Sequence, residues 1–146
     1  MKLPPTAQRV ENNTCRSAKE DIRNKTIFQI EQALKDGNID REMAMLQREW
    51  DTERVLETNA ACLMLISLGL GMSLDRRWLW LTGGVAAFLL QHALQGWCPP
   101  LPVIRAMGVR TAGEIGIERT ALKALRGDFI DMEHNAESAF KAASLE

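Results

Sequence analysis

The chain has 146 residues, with 18 Lys and Arg against 19 Asp and Glu for a formal charge of -1. That length sets an expectation of about one domain, and the balanced charge excludes the basic surface that draws a protein onto nucleic acid. The composition, 46% hydrophobic and 25% charged, is that of an ordinary soluble globule. Its distribution is not, because between Thr58 and Ile104 the only charged residues are three neighbours, Asp75, Arg76 and Arg77.

The start, Met1-Lys2-Leu3-Pro4-Pro5-Thr6, turns into a polar segment rather than an apolar run, so no cleavable secretory signal is expected. Cys15, Cys62 and Cys98 are odd in number, widely spaced and without a CxxC pair. They encode neither a disulfide framework nor a zinc ribbon, and a reducing compartment fits them best.

Residues 1–57 read as an amphipathic helical arm. Ser17 and Glu20 have capping-box spacing, and Ile22, Ile27, Ile30 and Leu34 recur along one helical stripe. Asp36-Gly37-Asn38 should end that helix. Met43, Leu46 and Trp50 form a second stripe, and with no Pro or Gly between Ile39 and Ile66 the helix is expected to run unbroken into the next segment. The seam is read as covered by the first helix folding back, in preference to a coiled coil between protomers.

Residues 58–104 read as a transmembrane hairpin. The first span covers about 58–74 and the second about 78–97, with Asp75-Arg76-Arg77 as the connection. Trp78 and Trp80 lie at one end and Trp97 at the other, with Trp78 about 28 Å from Trp97 along a helix rising about 1.5 Å per residue, so the indoles would sit at opposite headgroup levels. Trp50, beside Arg54, would anchor the start of the first span. Helices apolar all round belong in a bilayer or a large core, and a chain this short offers little protein to surround two of them. Arg41, Arg48, Arg54, Arg105 and Arg110 outnumber the two loop arginines, which places both termini in the cytoplasm.

Pro99, Pro100 and Pro102 are expected to stop the second span, and Gly108 to permit a further turn. Residues 105–130 follow as a C-terminal amphipathic helix. Thr111 and Glu114 have capping-box spacing, Ile115, Leu122 and Leu125 give an apolar face that Glu118 shares, and Gly127 closes it. Its few basic residues favour packing on protein over lying on anionic lipid. Residues 131–146 read as a tail, with Leu145-Glu146 as an appended scar.

The fold class is therefore all-α: an antiparallel two-helix transmembrane hairpin with amphipathic cytoplasmic helices before and after it. Within the second span Gln91, His92 and Gln95 lie on one turn, where polar groups are costly unless paired. They are read first as interhelical contacts and alternatively as the lining of a polar path. Gly83, Gly84 and Ala87, with Gly69 and Gly71 opposite, offer small surfaces for close helix packing. Both readings need more than two helices, so a homo-oligomer in the lipid bilayer is expected. Cys98 sits at the expected interface with no Lys or Arg within six residues, which favours an inert thiol. His92 and Cys98 would fall on divergent faces of a straight helix, so no metal site is expected, and no cofactor. No catalytic signature is present, and no enzyme activity is read from the chain.

From about Trp50 to Phe129 the sequence resembles the YgaP-like inner-membrane domain, a bacterial family of largely unknown function built on a two-helix membrane hairpin. The matching features are Asn59, the small-residue-rich second span, Gly96-Trp97-Cys98-Pro99 and Met107-Gly108. The stretch from Arg105 through Thr111, Glu114 and residues 121–129 resembles the tail of a longer proteobacterial version with an N-terminal arm. The family's namesake joins the hairpin to a rhodanese domain carrying sulfur as a cysteine persulfide. This chain has no Cys-x-x-x-x-Arg anion loop at any cysteine, so sulfurtransferase activity does not carry over. The resemblance implies a bacterial inner-membrane module acting as an oligomeric anchor or assembly unit. The alternatives are a pore for a small anion or sulfur species, or a thiol/persulfide relay at Cys98.

Overall fold

A computed structural model describes residues 5–130 and 135–144. The first residues of the chain, Asp131 to His134 and Leu145-Glu146 lie outside it. All secondary structure among the described residues is helical: a 3₁₀ turn (Thr6–Gln8), then α1 (Arg9–Asn12), α2 (Arg16–Asp36), α3 (Ile39–Leu46), α4 (Thr52–Ser73), α5 (Trp78–Gln95), α6 (Leu101–Ala106), α7 (Ala112–Arg126) and α8 (Ala136–Ser144).

The arm folds back as expected, though its start and its end differ. Cys15, not Ser17, occupies the N-cap of α2, and no side chain caps the backbone there, so the expected capping box does not form. Gly37 closes α2 at φ +65°, a left-handed conformation that glycine adopts at little cost. The arm does not run unbroken into the first span. The chain leaves the helix after Leu46, and Asp51 caps a new one by accepting a hydrogen bond from the Arg54 N–H at 2.8 Å. An aspartate one residue before Thr52 offers the backbone an alternative to continued helix, a signal that the absence of Pro and Gly concealed.

One core joins α2, α3 and α7. Ala33, Met43, Leu46 and Leu122 are buried together, flanked by Ile30, Ile39 and Ile115. In the α2 stripe Ile22 is buried and Ile30 partly so, but Ile27 and Leu34 point outward and Ala18 and Ala33 turn in. The α7 helix packs on protein as its composition implied, and its Thr111–Glu114 capping box is formed. Gly127 ends it at φ +94°. The expected tail is a helix in part, since α8 buries Ala142 and the Lys123 ammonium donates to the Ala143 carbonyl at 2.6 Å.

Helices α4 and α5 form an antiparallel pair through the Asp75–Arg77 turn and make the most extensive contact in the molecule. Thr52–Ser73 is long and apolar enough to cross a membrane. The α5 helix falls short of that standard because Trp78, Trp80, Gln91, His92 and Gln95 dilute its leucines. The seam between the two is narrow. Ser67 and Thr82 share a hydroxyl hydrogen bond of 2.7 Å, and a Cβ on Gly71 would lie 2.6 Å from Leu79 Cδ2. Gly69, Gly83 and Gly84 have open space where a side chain would be, so of the four glycines expected at a packing surface only Gly71 serves this pair.

The second helix ends at Gln95 rather than Trp97, and the prolines do not stop it. Gly96, at φ +74°, turns the chain, and Pro100 and Pro102 then sit at the start of α6, where a missing N–H costs nothing. A second core forms in the fold-back from Val10, Leu56, Cys98, Leu101 and Ile104. The N-terminal segment runs directly beneath the turn, and a Cβ at Gly96 would lie 2.4 Å from the Arg9 carbonyl oxygen. Gly96→Ala therefore combines left-handed strain with backbone collision, and we expect it to destabilise the fold by about 1–3 kcal/mol. Gly84→Ala, in open space within a helix, should leave the melting temperature unchanged or raise it. Thermal melting of the two variants side by side checks this.

Candidate functional site

Where the α4–α5 pair meets the α2–α3–α7 base, the polar residues gather into a belt of ion pairs. Arg110 is at its centre. Its guanidinium bonds Glu118 of α7 and Glu49 of the α3–α4 connection, and donates to the Thr26 hydroxyl of α2 at 3.2 Å. Its carbonyl accepts from the Thr52 N–H at 2.8 Å and the Thr52 hydroxyl at 2.9 Å, joining the start of α4 to the same residue. Arg110, Glu118 and Thr52 are all buried. Desolvation acts to lower the Arg110 pKa, but the bonds to Glu49 and Glu118 outweigh it and hold the guanidinium charged. Burial pushes the Glu118 carboxyl up against the pull of Arg110, and its Oε1 lacks a hydrogen bond.

Arg105 forms the second node. It is 1% exposed, donates to Glu114 through two nitrogens at 2.7 and 2.6 Å, and also reaches the Thr14 hydroxyl and the Val109 carbonyl. Burial acts to raise the Glu114 carboxyl, but the Arg105 and Thr111 hydrogen bonds overcome it and hold the group below the usual carboxylate range. Two of the five arginines counted for orientation, Arg105 and Arg110, thus face carboxylates inside the protein and present nothing to a lipid headgroup.

The third node links α1, α4 and α5. The Glu53 carboxylate accepts from Arg9 at 2.8 Å and meets His92 Nε2 at 2.9 Å. His92 is 3% exposed, and its Nδ1 is buried with no hydrogen-bond partner. Of the expected polar turn, His92 is bound into the base, Gln95 offers its backbone carbonyl to the Asn13 amide at 3.0 Å, and Gln91 lies half-buried. The three do not share one hydrogen-bonded network.

Beside this node a cavity of about 530 Å³ opens between α4, α5 and the start of α6. Both His92 and Cys98 line it. They are not on divergent faces, because the helix stops at Gly96 and the chain carries Cys98 back. Desolvation, opposed by a backbone hydrogen bond from Leu101, raises the Cys98 pKa, so the thiol is held neutral. No group of three or more His, Cys, Asp or Glu among the described residues could hold a metal ion.

Sequence reasoning missed Arg9, Glu53 and Cys15. Glu53 lies about one turn before the uncharged run, inside the stretch that reads as arm, and nothing in the sequence marks Arg9 as its partner. Cys15 is exposed at the N-cap of α2, where the neighbouring Ser17 hydroxyl lowers its pKa. A cysteine directly ahead of a helical stripe was the available signal. Of the tryptophans, Trp50 stacks under Arg54 at 4.4 Å, while Trp78, Trp80 and Trp97 remain exposed.

No protein-family model, curated protein or solved structure matches the chain.

The Glu114 shift fixes a sign. Its carboxyl is held below its ordinary 4.5, so the stability it contributes is present above that pH and is lost as pH falls through the lower, folded value. Glu114→Gln should therefore flatten the acid limb of the melting temperature against pH and change it little between pH 6 and 8 except by a constant offset. A pH series on both chains reads this directly.

Proposed function

We propose that the chain is a membrane-anchored helical platform, in which α4 and α5 cross the bilayer as a hairpin and α2, α3 and α7 form a cytoplasmic base. The observation that carries this reading is the surface of the pair. Leu65, Ile66, Met72 and Leu90 are 70%, 61%, 80% and 62% exposed, and only 17% of the apolar window of α4 is buried. So much contiguous apolar surface is costly in water and costs nothing among acyl chains. The 18 residues of α5 extend about 27 Å at about 1.5 Å per residue, close to a hydrocarbon core of about 30 Å. Its polar residues lie toward the two ends, where headgroups and the base receive them.

The open stripe at Gly83, Gly84 and Ala87 supports association with further copies through the spans, since backbones approach closely only where side chains are small. The Gly-Trp-Cys-Pro turn and the small-residue second span support membership of the YgaP-like hairpin type. A pore for a small anion or sulfur species draws less support, because His92 is turned onto a carboxylate that repels anions. A relay at Cys98 likewise suffers from its buried, neutral thiol.

The three cysteines report the arrangement. Cys62 is exposed on the flank of α4, Cys15 is exposed in the base and Cys98 is buried. In native membranes of both orientations, an impermeant maleimide should label Cys15 quickly, Cys98 slowly, and Cys62 only after detergent is added. Cys62 labelling at the same rate with and without detergent would overturn the membrane reading.

A further inference from the structure

We propose that α6 is a foot in the bilayer: the fold-back from Trp97 to Met107 enters the leaflet on the side of the base obliquely, with Val103 among acyl chains and Met107 at headgroup level. The foot is a lipid contact beyond the two spans, and it rests on the hairpin reading. Between Ala93 and Met107 the only charged residue is Arg105. It is 1% exposed and turned onto Glu114, so the outward face carries no charge. Trp97, Val103 and Met107 form that face at 37%, 62% and 76% exposure, and the exposed Leu90 and Leu94 of α5 continue it toward the spans. A protein partner needs a polar rim to fix its register, whereas acyl chains ask for none.

The backbone carries a second, independent argument. Irregular chain enters lipid only where its polar groups are already satisfied. A helix start ordinarily leaves the N–H groups of its first turn unpaired. At α6, Pro100 and Pro102 bring no N–H, and the Leu101 and Ile104 N–H groups donate to the Cys98 and Pro100 carbonyls, each at 3.1 Å. At the other end the Met107, Gly108 and Val109 N–H groups donate to the Val103, Arg105 and Ile104 carbonyls at 3.0, 3.0 and 3.3 Å. The Arg105 guanidinium then closes the Val109 carbonyl at 2.7 Å. A turn whose face is open to solvent has no need of such closure.

Neighbours on either side set the depth and the tilt. Val103 shares a cavity wall with Leu63 of α4 and Phe88 of α5, both within the apolar spans. Met107 shares a notch with Asp21 and Lys25 of α2, whose charges belong with headgroups and water. The two residues are one turn apart, about 6 Å of rise, comparable with the depth of about 5–10 Å to which an interfacial helix sinks its apolar face. The inner side of α6 packs Leu101 and Ile104 on Leu56, and Arg105 ties it to α7, so the foot holds the base at a fixed height on the membrane.

The test places one nitroxide at a time on the full chain in phosphatidylcholine nanodiscs. Cys98→Ala and Cys15→Ser are common to all samples; the label sits on Cys62, or, with Cys62→Ser, on Val103→Cys, Met107→Cys or Lys35→Cys. All four positions are exposed, so the label displaces no core. Collision with oxygen, which concentrates in acyl chains, is compared with collision with a water-soluble nickel chelate. Oxygen should dominate at Val103→Cys as at Cys62, the nickel chelate should dominate at Lys35→Cys, and Met107→Cys should fall between. Nickel access at Val103→Cys equal to that at Lys35→Cys, with Cys62 still favouring oxygen, would overturn the foot and leave the hairpin standing. Nickel access at Cys62 would overturn the hairpin reading itself, and the foot with it. Exclusion of both reagents at Val103→Cys would also overturn the proposal, and dipolar broadening that fades on dilution with unlabelled chain would identify a second copy as the cover.

Discussion

Helices α4 and α5 touch along one seam and leave most of their leucines, together with Trp78, Trp80 and Met72, exposed. That constraint shapes everything else in the molecule. The pair has a thin seam in which Ser67 and Thr82 satisfy each other, and the other polar groups that need partners are placed beneath it rather than within it. The apolar part of the chain is two rods, and nearly all its chemistry lies in the few residues where those rods meet the base.

Arginine suits that junction. A planar guanidinium with five donors can satisfy several acceptors from different elements at once, and Arg110 does so for the α3–α4 connection, α7 and α2 while its carbonyl holds the first residue of α4. The net stability of a buried pair is small because both ions lose their hydration, but losing one partner leaves the other charged and buried. The junction therefore discriminates against other arrangements more than it adds to the free energy of this one. A rod pair on such a base is fixed in direction, which a flexible linker between Leu46 and Thr52 would not achieve.

Periodicity made the helices legible. The α7 face, its capping box and its closing glycine were all written in local spacing, as were the turn at Gly37 and the two apolar runs. The break before Thr52 was missed because a single capping aspartate interrupts a helix without any Pro or Gly. The ion-pair belt was beyond reach for a different reason. Arg110 with Glu49, Arg9 with Glu53 and Glu53 with His92 join residues far apart in the chain, and charge alone does not say which carboxylate a guanidinium will meet. Glu118 is the partial exception, since its place on an apolar row announced burial and hence a partner, though not which one.

The cavity depends on where α5 stops. A helix continuing to Trp97 would carry Cys98 past His92 and leave α6 no room to return along the α4 flank. Gly96 prevents this by taking a left-handed turn at a point where the N-terminal backbone passes too close for any side chain. The same passage brings Arg9 within reach of Glu53, and Glu53 in turn engages His92 Nε2 and so determines which ring nitrogen faces away unpaired. One glycine thus couples three features with no sequence proximity: the N-terminal segment under the hairpin, the Glu53 contact of a buried histidine, and the cavity that His92 and Cys98 line.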